Sequence, residues 1–207
     1  RPIAISCPIA SLADRIVARH FNDHFSFYQD SNQFGVTSER SAVLALIKLC
    51  HILFNESDNC VNVIRILFVD FSKAFDLINH NTLSAKFDQY EFPLWLKTWS
   101  LMFLNDRTQY VRIFDNESST RVNNAGAPQG TRAGGNDFKL LINDLLFDGH
   151  CFKYVDDVTV TTVSADPYDD AMQSAVDNLN CWSLANKCII NGKKTKEMIL
   201  HFSKRFD

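Results

Sequence analysis

None of the six cysteines (Cys7, Cys50, Cys60, Cys151, Cys181, Cys188) stands in a C-x-x-C pair, which argues against a zinc site. They read instead as buried, reduced thiols of an intracellular protein. No apolar run approaches the roughly 18 residues that a membrane-crossing helix needs, so no membrane partner is expected. A basic excess is missing too. The chain has 24 acidic against 21 basic residues and a net charge of -3, whereas nucleic-acid binders usually carry surplus Lys and Arg. The net value does not report distribution, and a local basic groove stays compatible with it. No internal repeat or low-complexity tract interrupts the 207 residues, which suit one large domain or two small subdomains. What the chain has in plenty is apolar: 46% hydrophobic residues, 17 of them Phe, enough for a packed core. It opens Arg1-Pro2-Ile3 without Met and is expected to be a fragment.

The central stretch is Ile66-Leu67-Phe68-Val69-Asp70-Phe71-Ser72-Lys73-Ala74-Phe75-Asp76. Its leading apolar residues are those of a strand buried on both faces. An ionised Asp at the end of such a strand costs several kcal/mol unless a cation or donor compensates. Further on, Cys151-Phe152-Lys153-Tyr154-Val155-Asp156-Asp157-Val158-Thr159-Val160-Thr161 repeats the arrangement as strand, two carboxylates, strand. Three carboxylates on two strand ends suit divalent metals and phosphates.

Around these, periodicity and caps predict the remaining elements. Arg1 to Ala10 is extended, and a helix starts at Ser11. A second helix runs from about Glu39 to Phe54 with an apolar stripe. The central strand covers Val63 to Phe71, and the next helix is capped by Asn79, Asn81 or Thr82. Leu94 to Leu104 is helical. Thr108 to Phe114 and Ser119 to Val122 form a hairpin. The glycine-rich run Gly126 to Asn136 lets backbone approach a ligand closely, and Asn136 caps a helix through Leu146. Asp166 caps a helix from Pro167 to about Ala185. Cys188 to Ile190 and Met198 to Phe202 are short strands around an Asn191-Gly192 turn.

Strands joined in this order by helices follow the split β-α-β, ferredoxin-like pattern. In that antiparallel sheet the Asp70 strand lies beside the strand after the double Asp. Its carboxyl end then shares an edge with the Asp156-Asp157 turn. Clustered acids repel unless a cation intervenes. Mg²⁺ takes oxygen ligands and bridges carboxylates to phosphates, and two such ions about 3.5–4 Å apart would clamp the attacking and leaving oxygens of a phosphoryl transfer.

The two carboxylate stretches resemble motifs A and C of reverse transcriptases, and Phe-Val-Asp-Phe-Ser-Lys-Ala-Phe-Asp is most similar to the non-LTR (LINE-type) retrotransposon enzymes. Gly126-Ala127-Pro128-Gln129-Gly130 resembles motif B, Asn191-Gly192-Lys193-Lys194-Thr195-Lys196 motif D, and Gln33-Phe34-Gly35-Val36 with Arg40-Ser41 the family's Gln-Phe-Gly segment. Val36, Glu39 and Gly135 depart from the usual Phe, Gly and Pro. The resemblance implies an α+β right-hand polymerase palm, a ferredoxin-like antiparallel sheet with packed helices, plus partial fingers. Residues 1–62 would be partial fingers, and 63–207 the palm, with a fingers-side helix and hairpin over 93–135. The thumb, the upstream fingers and any endonuclease region of a parent polyprotein are expected to be absent.

It further implies Asp70, Asp156 and Asp157 as catalytic metal ligands, with the Phe71 carbonyl added, for two Mg²⁺ ions or Mn²⁺ in their place. Lys194 would serve the triphosphate as general acid, with Lys193 and Lys196 as the neighbouring alternatives. Arg1, Phe75, Gln129 and Gly130 would meet the nucleotide, Arg1 by a phosphate fork and Phe75 by excluding a 2′-hydroxyl. Gln33, Gly35 and Tyr154 would line the template and primer path. The implied partners are an RNA template, a DNA primer and dNTPs. The implied location is intracellular, and nuclear at the site of integration for an active element. The rival expectations are a decayed, nucleic-acid-binding relative, another palm nucleotidyltransferase such as an RNA-dependent RNA polymerase, and an interaction protein with its three Asp far apart.

Overall fold

The computed structural model describes residues 3–58, 63–166 and 168–201. The elements run α1 (Pro8–Phe25), α2 (Ala42–Asp58), β1 (Val63–Val69), α3 (His80–Gln89), α4 (Leu94–Leu104), β2 (Thr108–Gln109), β3 (Arg112–Ile113), β4 (Asn116–Glu117), β5 (Arg121–Val122), α5 (Arg132–Ile142), β6 (His150–Tyr154), β7 (Asp157–Ser164), α6 (Ala171–Asn186) and β8 (Lys196–His201). Packing groups them into two compact units, Arg1–Tyr28 with Phe75–Leu141 and Gln29–Ala74 with Ile142–Asp207. Each unit is discontinuous in sequence, so the packing division does not fall at residue 62.

In the first unit the abundance of Phe has a structural outlet. Phe21 and Phe25, four residues apart on α1, face the same side of the helix. Phe21 packs on Phe92 with ring centroids 4.8 Å apart, Phe87 meets Phe92 at 4.9 Å, and Phe25 meets Tyr90 edge-on at 5.5 Å. The start of α1 differs from the sequence expectation. Pro8 opens the helix rather than preventing it, because a missing N–H costs nothing in the first turn. Cys7 is the cap, its Sγ accepting from the Ala10 N–H at 3.5 Å. Asn79 is the cap of α3, taking the Thr82 N–H at 3.1 Å. The predicted hairpin is reduced to two short pairings, β2 with β5 and β3 with β4.

The second unit is built on one antiparallel sheet in the order β6-β7-β1-β8, as the split β-α-β pattern requires. Met172, Ala175, Leu179 and Trp182 are the buried stripe of α6, which packs on β7. β1 is buried at Val63, Ile64, Ile66, Leu67 and Val69. Helix α2 departs from expectation, since none of its residues is buried; Val43, Leu44 and Ile47 lie exposed. The thiols also depart from it: of the five described cysteines only Cys151 is buried, while Cys7 and Cys181 are exposed. Burial pushes the Cys151 thiol up to about 12.

Candidate active site

The register of the sheet decides where the carboxylates fall. Val69 at the end of β1 pairs with Val158, and Tyr154 pairs with Asp157 across the hairpin. One residue further along β1 is Asp70, and one residue back along β7 is Asp157, so the two face each other at one sheet edge. Asp156 sits beside them in the two-residue turn. Asp70 and Asp156 are half-buried and Asp157 is exposed.

The loop after α6 holds Asp70 from the other side. The Asn191 amide donates to Asp70 Oδ2 at 2.8 Å, and the Asn191 N–H donates to the Asp70 carbonyl at 2.8 Å. The Asp70 N–H reaches Thr195 Oγ1 at 3.3 Å, and the Ser72 N–H bonds the Ile189 carbonyl at 2.7 Å. Lys194 brings its ammonium to 3.8 Å from Asp70 Oδ1, with a side chain 63% exposed, so the attraction is largely screened by water. The motif D stretch thus reaches the motif A carboxylate. Phe71 packs its ring against Trp182, centroids 6.1 Å apart.

The donors offered at this edge are oxygens, the set a hard divalent cation takes. Among the described residues, no three carboxylate, imidazole or thiolate groups already surround a common point; one Asp70 oxygen is engaged by Asn191 instead. Residue chemistry and sheet register fit a divalent cation, while the side-chain orientations are those of a carboxylate held by an amide.

The double-Asp turn is itself strained. Val155 has φ 58°, a left-handed conformation that is an outlier for a β-branched residue and costs on the order of 1–3 kcal/mol. The loop before α2 braces it. Phe34 N–H bonds the Lys153 carbonyl at 2.8 Å and Lys153 N–H bonds the Asn32 carbonyl at 2.9 Å. Gln33 is buried, and its Oε1 accepts from Gly35 N–H at 2.9 Å and Val155 N–H at 3.2 Å. A Cβ on Gly35 would lie 2.6 Å from Val155 N. Gln33 and Gly35 therefore lie against the hairpin, Gln33 with almost no exposed surface. Tyr154, at the end of β6, is exposed. Behind the turn, Lys153 is wholly buried and ion-pairs with Asp30 at 2.8 Å.

In the first unit, the motif B residues and Phe75 come together. Ala127 N–H bonds the Phe75 carbonyl at 2.8 Å, Gln129 donates to Asp76 Oδ1 at 3.2 Å, and the Phe75 ring stacks on Phe138 at 5.3 Å. Gly126 has φ 86°, and a Cβ there would lie 2.6 Å from the Asp76 carbonyl oxygen. Gly130 also has positive φ, 95°, and is exposed. The Gly134-Gly135 pair lies inside the first turn of α5. Gly134 has no room for a side chain, since a Cβ would meet the Pro128 carbonyl oxygen at 2.4 Å. Asn136 is buried within α5 rather than capping it. The helix N-terminus is satisfied instead by Asp14, whose two oxygens accept from Arg132 and Ala133 N–H at 2.9 and 2.8 Å, and by Thr131 Oγ1, which accepts from Gly134 N–H at 3.1 Å. A carboxylate there also suits the helix dipole. Arg1 lies outside the described residues.

An antiparallel sheet that sets one strand-end Asp beside a double-Asp turn, with a lysine loop alongside, belongs to the nucleic-acid polymerase palms. The chain is a member of the reverse transcriptase (RNA-dependent DNA polymerase) family, whose profile matches residues 1–204. Over 139 residues, 65% of the chain, it is 31% identical to the probable RNA-directed DNA polymerase from transposon BS of Drosophila melanogaster. That match spans only 15% of the relative's length. Its fold is similar to Candida tropicalis telomerase truncated from its C-terminal domain, with a TM-score of 0.62 and 12% identity, covering 91% of this chain and 40% of that one. Telomerase of Candida albicans in complex with a TWJ fragment of telomeric RNA is also similar, at a TM-score of 0.58 and 12% identity over 94% of this chain and 36% of the other. Among the described residues no helix is long and apolar enough to cross a membrane.

Proposed function

We propose that this chain is the palm and partial fingers of a LINE-type (non-LTR) retrotransposon reverse transcriptase, transferring dNTPs to the 3′-hydroxyl of a DNA primer on an RNA template. The observation that carries the reading is the β1–β7 register, which sets Asp70 beside Asp157 with Asp156 in the adjoining turn. Family membership and the transposon-derived relative support it. Asp70, Asp156, Asp157 and the Phe71 carbonyl would hold the divalent cations, Mg²⁺ or Mn²⁺. When bound, these lower the pKa of the attacking hydroxyl and neutralise charge building on the phosphates.

The chain's own residues do the remaining work. Lys194, whose ammonium lies 3.8 Å from Asp70 Oδ1, would protonate the pyrophosphate as it leaves. By family membership, Phe75 would reject a 2′-hydroxyl by bulk, Gln129 and Gly130 would bound the base, and Arg1 would grip the triphosphate. Gln33 and Gly35 shape the template path through the loop backbone, and Tyr154 flanks the primer end. An active element would work in the nucleus at its integration site.

The test is addition of a single dNTP to an annealed DNA primer on RNA, with Mg²⁺ and with Mn²⁺, comparing the chain with Asp156→Asn. Addition that Asp156→Asn abolishes is expected, with short products. No addition under either metal would favour a decayed, nucleic-acid-binding relative.

A further inference from the structure

The loop before α2 contains a residue whose role is separate from the template path. Val155 is the first residue of the turn that carries Asp156 and leads into Asp157, and it is held at φ 58°. A β-branched side chain does not stay there unaided. The Val155 N–H donates to Gln33 Oε1 at 3.2 Å, and the same oxygen takes Gly35 N–H at 2.9 Å. Gln33 is 1% exposed, so water does not readily replace it. Its Nε2 is buried with no hydrogen-bond partner among the described residues. The hydrogen bonds of this side chain therefore run through its oxygen, to the Gly35 and Val155 N–H groups. Gly35 permits this close approach, since Val155 Cγ2 would lie 2.5 Å from any Cβ there.

We propose that Gln33 is a positioning residue for the double-Asp turn: its side-chain carbonyl pins the Val155 N–H and keeps the turn in the left-handed conformation that sets Asp156 and Asp157. The link to catalysis rests on the polymerase reading above, whereas the link to the turn does not.

Two properties are measured in the parent, in Gln33→Met, which keeps the bulk and loses the acceptor, and in Gln33→Met combined with Val155→Gly, which accepts positive φ without help. The first is hydrogen exchange at the residue-155 amide. It is expected to be protected in the parent and to exchange at least about tenfold faster in Gln33→Met, with thermal melting confirming that both variants fold. The second is Mn²⁺ affinity, read by the electron paramagnetic signal of the free ion. Gln33→Met is expected to weaken it by about 10–100-fold, the usual effect of losing an outer support of a metal site. Adding Val155→Gly is expected to restore it while amide 155 stays unprotected. Fast exchange at Val155 in the parent would overturn the proposal, as would Gln33→Met with unchanged exchange, or a metal defect that Val155→Gly does not relieve. A parent that protects Val155 yet binds no Mn²⁺ and adds no nucleotide would sink the polymerase reading and the link to catalysis, leaving the Gln33 support of the turn established.

Discussion

Replacing Lys153 with Met tests how the strand that delivers the double Asp is anchored. Lys153 is 0% exposed and its partner Asp30 only 9%. The ammonium spends its three protons on Asp30 Oδ2 at 2.8 Å and on the carbonyls of Ile142 and Asn143 at 3.1 and 3.2 Å. Asp30 is tied in further, its Oδ1 accepting from Asn32 N–H at 2.9 Å and its own N–H donating to Asn143 Oδ1 at 2.8 Å. Met fills the space but leaves a buried carboxylate without its cation, a change that costs about 3–5 kcal/mol when one member of a buried pair is removed. At about 2–4 °C per kcal/mol for a chain of this size, melting should fall by roughly 6–20 °C. Adding Asp30→Asn removes the orphaned charge while keeping the acceptor for Asn32, and should recover more than half of the loss. Differential scanning calorimetry on the parent, the single and the double variant measures all three. A drop below about 2 °C in Lys153→Met, or a double variant no better than the single one, would refute an ion pair that matters because it is buried.

Three other outcomes are expected. Gly126→Ala should destabilise by about 1–3 kcal/mol or more, because φ 86° strains any side chain and the Asp76 backbone blocks a Cβ; urea denaturation reads it. Asp137 is buried, and desolvation followed by the charge of Asp14 raises its carboxyl pKa well above the ordinary value. The folded state thus keeps a proton that the unfolded chain releases, and this stabilising contribution is full below about pH 3.9 and is lost as pH rises towards the folded value. Asp137→Asn, which cannot ionise, should therefore gain on the parent in melting temperature between pH 4 and pH 8; a pH-independent difference would contradict this. Phe75→Val should admit rNTPs in the single-addition assay while dNTP addition persists, and unchanged discrimination would leave the Phe75 ring as packing against Phe138.

The parts of the site that were legible in the sequence are those set by short period and by topology. Asp70 could be read because a run of apolar residues ends on it, and its meeting with Asp157 because a split β-α-β order allows few sheets. The glycines of motif B were read as letting backbone approach a ligand, whereas Gly126 makes room for the Asp76 backbone. The supports were not readable, because each spans a long loop. Asp14 caps a helix 118 residues away in sequence, and nothing near Arg132 announces it; Asn136, the local candidate, is buried instead. Gln33 reaches the turn across 122 residues, and its local wording pointed to the template path or a helix-start loop, not to a support of the double-Asp turn. The exposed face of α2 was missed for the opposite reason: periodicity reports which residues share a face, and says nothing about whether a neighbour covers it.

Two of the side chains that support the carboxylate edge are primary amides, and electrostatics suits that choice. Three acids near one edge already repel, and a fourth carboxylate would raise that penalty while competing for a cation. A lysine or arginine in permanent contact would neutralise the edge and remove its attraction for a divalent ion. An amide avoids both, since it has a donor for a carboxylate and an acceptor for an N–H but no net charge. Asn191 uses the donor, on Asp70 Oδ2, and Gln33 uses the acceptor, on the Val155 N–H. Lys194 stands 3.8 Å from Asp70 Oδ1 on an exposed side chain, so its pairing is weak. The geometry of the edge is thereby held in part by side chains that carry no net charge.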